Sequence, residues 1–203
     1  ISIALFGLGA GGVFSYVVAG WRGSLFSKLG WLALTNSLAS ILSLVFVLTR
    51  EGEPGNTTLA LVYFASALPF FCAGAIVSLA ISETLERVDR VYFFDLLGAA
   101  GGCLVLIPLL NAFGGPNTVI CAAVLFAVTA AVWFNLSGSR VMRAAAVALA
   151  LSLTALVAWN SKKAVVDVRW AKGQNLGHEA FVKWNSFSRI GLYRDHSSGA
   201  MMV

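Results

Sequence analysis

The chain has 203 residues, of which 59% are hydrophobic and 11% charged, with a mean hydropathy of +0.84. A soluble domain of this size carries about 25% charged residues, so the composition excludes a soluble globular enzyme over most of the length, as well as a disordered chain, and points to a membrane protein. The formal charge of +5 is uneven: residues 1–160 carry +1 and residues 161–203 carry +4.

Charge-free runs divide the chain, because a helix crossing a hydrocarbon core of roughly 30 Å needs about 20 apolar residues. Residues 1–21, 29–49, 54–82, 96–139 and 144–161 carry no charge. The run 96–139 is too long for one crossing, and Asn111, Gly114, Gly115, Pro116 and Asn117 supply turn chemistry inside it. The pattern predicts an all-α polytopic bundle of six transmembrane helices, at about 1–20, 30–49, 57–82, 95–113, 116–136 and 141–160. Pro69, in the middle of the third, predicts a kink, since proline deletes one backbone hydrogen bond.

Beyond Asn160 the periodicity changes. Val166, Val168 and Trp170 alternate, as do Ser188, Ile190 and Leu192, and Asp195-His196-Ser197-Ser198-Gly199 reads as a turn before Ala200-Met201-Met202-Val203. Residues 161–203 are thus expected to form a basic, β-rich extramembrane tail ending in a short hairpin. A lone hairpin is marginal in water, which predicts that the tail continues into a further domain or docks on a partner. The opening on Ile1, without Met or a charged leader, likewise leads us to expect a longer parent protein.

Gly7, Gly9 and Gly12 satisfy the GxGxxG pattern of dinucleotide sites, but the first acid after them is Glu51, much farther than the ribose-binding acid should lie. Close packing of transmembrane helices explains the small residues better. Gly7 and Gly11, Gly74 and Ser78, and Gly98 and Gly102 each stand four apart, which puts each pair on one helix face and predicts tight contacts, within the chain or with another subunit. Asp95 stands at the expected start of the fourth span. There it caps free amides or acts as an intramembrane carboxylate that pairs with Arg87 or Arg90 or holds a cation.

Cys72, Cys103 and Cys121 are odd in number and lie in apolar runs, where cysteine behaves as a small hydrophobe. His178-Glu179 opens like HExxH, but Val182 occupies the place of the second histidine, so no metal site is expected. No nucleophile, base and acid set, phosphate loop or paired carboxylates can be assembled, so neither catalytic residues nor a cofactor are assigned. Trp21, Trp31, Tyr63, Tyr92, Trp133 and Trp159 mostly fall toward the expected span ends, as an interfacial belt does. The basic tail is better explained by an anionic lipid surface than by nucleic acid.

Two stretches carry a family resemblance. Leu68-Pro69-Phe70-Phe71-Cys72-Ala73-Gly74, with Tyr92-Phe93-Phe94-Asp95-Leu96-Leu97-Gly98-Ala99-Ala100-Gly101-Gly102-Cys103 and Gly114-Gly115-Pro116, resembles the membrane half of bacterial spermidine synthase-like proteins, which fuse a multi-helix domain to an aminopropyltransferase-like domain. Phe181-Val182-Lys183-Trp184-Asn185-Ser186-Phe187-Ser188-Arg189-Ile190 resembles the entry strands of their soluble half. The resemblance implies a Rossmann-like domain after the tail, in which acidic residues bind the aminopropyl donor and the polyamine. None of those residues maps onto a position here.

Arg22, Lys28, Arg87, Arg90, Arg140 and Arg143 fall in loops sharing one side, against Arg50 alone in the short loops opposite. The positive-inside rule then places those six in the cytoplasm of a bacterial inner membrane and the tail in the periplasm, although Lys162, Lys163, Arg169 and Lys172 pull the other way. The leading expectation is a membrane anchor and docking domain of a spermidine synthase-like protein, with no chemistry of its own. The alternatives are a structural subunit of a respiratory or photosynthetic complex, and half of a polyamine or small-molecule transporter.

Overall fold

Five helices, each long and apolar enough to cross a membrane, account for residues up to 163: α1 Ser2–Ala19, α2 Leu25–Leu48, α3 Asn56–Ser82, α4 Val88–Leu136 and α5 Arg140–Lys163. The structure is a computed structural model that describes residues 2–50, 55–171, 174–176, 179–185, 188–194 and 201–202. At about 1.5 Å per residue, the 49 residues of α4 exceed any single crossing. It is broken at Gly114, whose φ of 77° and ψ of 171° lie where only glycine fits comfortably.

The contacts fix the direction of each segment. Ser15 meets Ser78, and Gly7 meets Ala67 and Phe70, so α1 and α3 run parallel and finish at the same end. Lys28 reaches the terminal carbonyl of α1, which starts α2 at that end. Phe134 packs on Gly30, and Asn117 meets Asn160, so the second part of α4 runs back to the same end and α5 leaves it. Residues 88–113 therefore lead from one end of the bundle to the other and 116–136 return. The chain is a multi-pass membrane bundle with six crossings.

Three boundaries differ from those expected. The second helix starts at Leu25, because Ser24 caps it by accepting a hydrogen bond from the Ser27 amide. The fourth begins at Val88, after a 3-10 turn at Leu85–Arg87, so Asp95 lies two turns inside the helix and caps nothing. Asp89 is the acid of the first turn. The fifth continues to Lys163, with Lys162 and Lys163 against the negative end of its dipole. Pro69 lies within α3, which continues through it as helix.

Two clusters hold the bundle. Val18, Leu29, Leu32, Ala33, Ala75, Ile76, Leu79, Ala130, Phe134 and Ala146 form one, drawn from all five helices. Ile120, Ala123, Leu153 and Val157 form the other, nearer the opposite end. Among the described residues alanine is the commonest buried hydrophobic type, consistent with helices associating by close backbone approach when lipid removes the hydrophobic drive between them.

The tail forms two small antiparallel ladders. β1 (Trp170–Ala171) pairs with β2 (Gln174–Asn175), and β3 (Glu179–Trp184) pairs with β4 (Arg189–Arg194), which also pairs with β5 (Met201–Met202). The expected alternation at Val166 and Val168 does not produce a strand, because Val166 is drawn into the end of the bundle instead. The expected turn 195–199, and His178, Ser186 and Phe187, lie outside the described residues.

Candidate functional site: a polar joint between bundle and tail

The polar side chains buried at the end of the bundle nearest the tail converge on one place. Gly114 interrupts α4, which frees carbonyls that an unbroken helix would satisfy. Asn117 Nδ2 donates to the Phe113 carbonyl at 2.9 Å and Thr118 Oγ1 to the Gly114 carbonyl at 2.7 Å. Asn160, in the last turn of α5, donates from Nδ2 to Asn117 Oδ1 at 2.8 Å and to the Val166 carbonyl at 2.9 Å. Its Oδ1 accepts the Val166 amide at 2.6 Å. Asn160 thus grips both main-chain groups of Val166, as a neighbouring strand would, and ties the first residues of the tail to the break in α4. Asn117 and Asn160 are both buried, and every hydrogen-bonding group Asn160 has in its side chain is used.

The tail reaches the same place a second time. Trp184, the last residue of β3, lays its indole over Gly114 and Gly115. A Cβ on Gly115 would sit 2.6 Å from the ring, and one on Gly114 would sit 3.3 Å from its Nε1. The pair of glycines therefore serves two needs, reversal of the chain and a flat seat for an aromatic ring. The guanidinium of Arg189, opposite Trp184 in the β3–β4 register, lies 5.9 Å from the ring centroid on β4. Beside the joint is a cavity of about 160 Å³ lined by Asn117, Asn160, Ser161, Asp167 and Trp184, among others. Asp167 Oδ1 accepts the amide of Val168 at 2.7 Å.

The glycines singled out from the sequence fall into two groups. Gly7, Gly11, Gly74 and Ser78 lie where α1 meets α3: a Cβ on Gly7 would stand 2.7 Å from the Ala67 carbonyl, one on Gly11 would overlap the Phe71 carbonyl, and one on Gly74 the Leu8 carbonyl. Ser15 adds a polar stitch, donating to the Gly12 carbonyl at 2.6 Å and meeting Ser78 Oγ at 3.0 Å. A Cβ on Gly98 or Gly102 would meet nothing within 4 Å among the described residues. They belong to the first half of α4, where residues 92–100 and 102–108 are all exposed. Asp95 is exposed on the same segment, and no hydrogen bond or ion pair engages it among the described residues.

Sequence reading missed four residues that matter here. Lys28, read as a loop charge, is buried and donates to the Ala19 carbonyl at 2.7 Å, closing the C-terminus of α1. Gly30 gives Phe134 its seat. Asn117 was read only as turn chemistry, and Asn160 only as the boundary of the tail. Asparagine in an apolar run two residues from a Gly-Gly pair was the available signal. Among the described residues, no three of His, Cys, Asp and Glu lie together as metal ligands would. No family model matches the chain, and no curated protein or solved structure matches it either.

Proposed function

We propose that this chain is the membrane anchor and docking domain of a bacterial spermidine synthase-like protein, embedded in the inner membrane, whose own residues hold an extramembrane β-module at the bilayer surface. The observation that carries the anchoring part is the double attachment of the tail: Asn160 on Val166, and Trp184 on Gly114 and Gly115. A flexible linker needs neither, whereas a module that must keep its place relative to the bilayer needs at least two points of attachment. The family part rests on the resemblance of residues 68–74, 92–103, 114–116 and 181–190 alone. The tail is on the periplasmic side in this reading, since Arg22, Lys28, Arg87, Arg90, Arg140 and Arg143 gather at the other end.

The test is the reading frame beyond Val203 together with an assay of the whole gene product. A following Rossmann-like domain, and loss of its membrane association when residues 1–163 are removed, are expected. A different kind of domain there, or membrane association that survives the deletion, overturns the reading.

A second reading, a structural subunit of a larger membrane assembly, is favoured by the bare first half of α4 with its Gly98 and Gly102 face. Purification in mild detergent separates the two: stoichiometric partners lost on Gly98→Leu support the assembly, and a lone monodisperse chain supports the anchor.

A further inference from the structure

Two cavities meet at Arg143, at the end of the bundle opposite the tail. One is an apolar trough of about 400 Å³ between α4 and α5, floored by Val128, Ala131, Val132, Val147 and Leu151. The other is a polar hollow of about 330 Å³ at the α4–α5 turn, lined by Gly138, Ser139 and Arg140. Asn135 and Arg143 line both. The hollow lies at the helix ends and the trough runs inward for about two turns, some 10 Å. Charge and depth are therefore ordered as in an amphiphile, with the polar part at the surface and the apolar part below.

Among the described residues no acid neutralises the positive charge here. Arg143 Nη1 donates at 2.7 Å to Asn135 Oδ1, a neutral partner that orients the guanidinium and leaves its charge and its other donors free. Arg140 has no hydrogen bond or ion pair among the described residues. No Asp or Glu occurs in the sequence between Asp95 and Asp167, so the α4–α5 turn has no acid of its own. Glu83, Glu86 and Asp89 stand at the same end, between α3 and the first turn of α4, yet none of them pairs with either arginine.

We propose that these two cavities form one binding site for an anionic phospholipid, with the phosphate between Arg140 and Arg143 and an acyl chain in the trough. The trough decides between lipid and free anion: a soluble phosphate needs only the hollow, and an apolar groove opening from the same arginine has no use for it. Arg22, Arg87 and Arg90 share this end of the bundle and bias the surrounding leaflet toward anionic lipid. The inference requires only that the chain lies in a membrane, and it stands or falls independently of the anchor reading.

The experiment uses the whole chain in nanodiscs of phosphatidylcholine, titrated with phosphatidylglycerol and, separately, with inorganic phosphate, with bound lipid read by native mass spectrometry and stability by thermal unfolding. Retained phosphatidylglycerol and a raised unfolding temperature are expected, with no such effect of inorganic phosphate. Arg140→Gln with Arg143→Gln should weaken phosphatidylglycerol binding by about thirty-fold, which is about 1 kcal/mol for each arginine converted at about tenfold per 1.4 kcal/mol. Val147→Phe, which fills the exposed trough without touching charge, should weaken it too. Both variants are at exposed positions, and their unfolding in pure phosphatidylcholine serves as the folding control. Equal retention of the two lipids, no effect of the double arginine variant, or equal protection by inorganic phosphate overturns the proposal.

Discussion

Trp184 lies against Gly115 with no room for a methyl group between them, a Cβ at that position standing 2.6 Å from two ring carbons. The ring comes from the tail and the glycine from the break in α4, so this contact and the Asn160 bonds are two clamps on one joint. Gly115→Ala should therefore act at a distance, by lifting the β3–β4 hairpin off the bundle. Overpacking of this kind costs about 1–3 kcal/mol. Hydrogen exchange is the measurement: amides in 179–184 and 189–194 should exchange faster in the variant, while those of α1 to α3 keep their protection. Unchanged protection of the hairpin would mean that Trp184 does not seat it.

Asn160 should be the costliest single residue of the joint to remove. Asn160→Leu leaves the Val166 amide, the Val166 carbonyl and Asn117 Oδ1 without their partner, and an unmet buried polar group costs about 1–3 kcal/mol. Adding Asn117→Leu to Asn160→Leu should cost less than the sum of the two single changes, because the amides serve each other. Thermal unfolding of the single and double variants in detergent measures this. Strict additivity would show that the two asparagines act separately.

The architecture was legible where composition alone decides it. Charge-free runs located every crossing, since an uncharged stretch of about 20 residues has few other uses, and Gly114, Gly115, Pro116 and Asn117 marked the reversal. The boundaries at Leu25, Val88 and Lys163 moved because caps and dipoles extend helices beyond the apolar stretch, through residues such as Ser24, Asp89 and Lys162 that hydropathy counts as loop. The joint itself was not legible. Its partners, Asn117 with Asn160 and Gly115 with Trp184, are separated by dozens of residues, and spacing within one helix carries no information about which helix comes alongside. Val166 shows the limit on the strand side: its alternating neighbours suit a strand, and a side chain from α5 claimed its backbone first.

Asn36 presents the opposite case to Asn160. It is fully buried in the middle of α2, and neither atom of its amide meets a hydrogen-bond partner among the described residues. Replacing such a group by an apolar side chain of similar size removes a desolvation cost rather than a bond. Asn36→Leu should raise stability by about 1–2 kcal/mol. Ser37, its neighbour, donates to the Ala123 carbonyl at 2.8 Å, and Ser37→Ala should lower stability by about 1 kcal/mol. Chemical or thermal unfolding of the two variants in the same detergent compares them directly, and a destabilised Asn36→Leu protein would show that the amide has an essential partner.

Gly11 and Gly98 share a residue type and a small-residue spacing, and the structure gives them opposite surroundings. At Gly11 a Cβ would overlap the Phe71 carbonyl of α3, so Gly11→Val must separate α1 from α3 and break the serine stitch at Ser15 and Ser78. A destabilisation of about 3 kcal/mol is expected, at the upper end of what overpacking costs. At Gly98 a Cβ meets nothing within 4 Å, and Gly98→Val should leave the stability of the isolated chain within about 0.5 kcal/mol of the parent. Unfolding curves in dilute detergent make the comparison, repeated at high protein concentration for the second variant. If Gly98→Val destabilises only the concentrated sample, its glycine face is buried between copies. A loss in the dilute sample as well would instead mean that residues 88–113 pack against the bundle they cross.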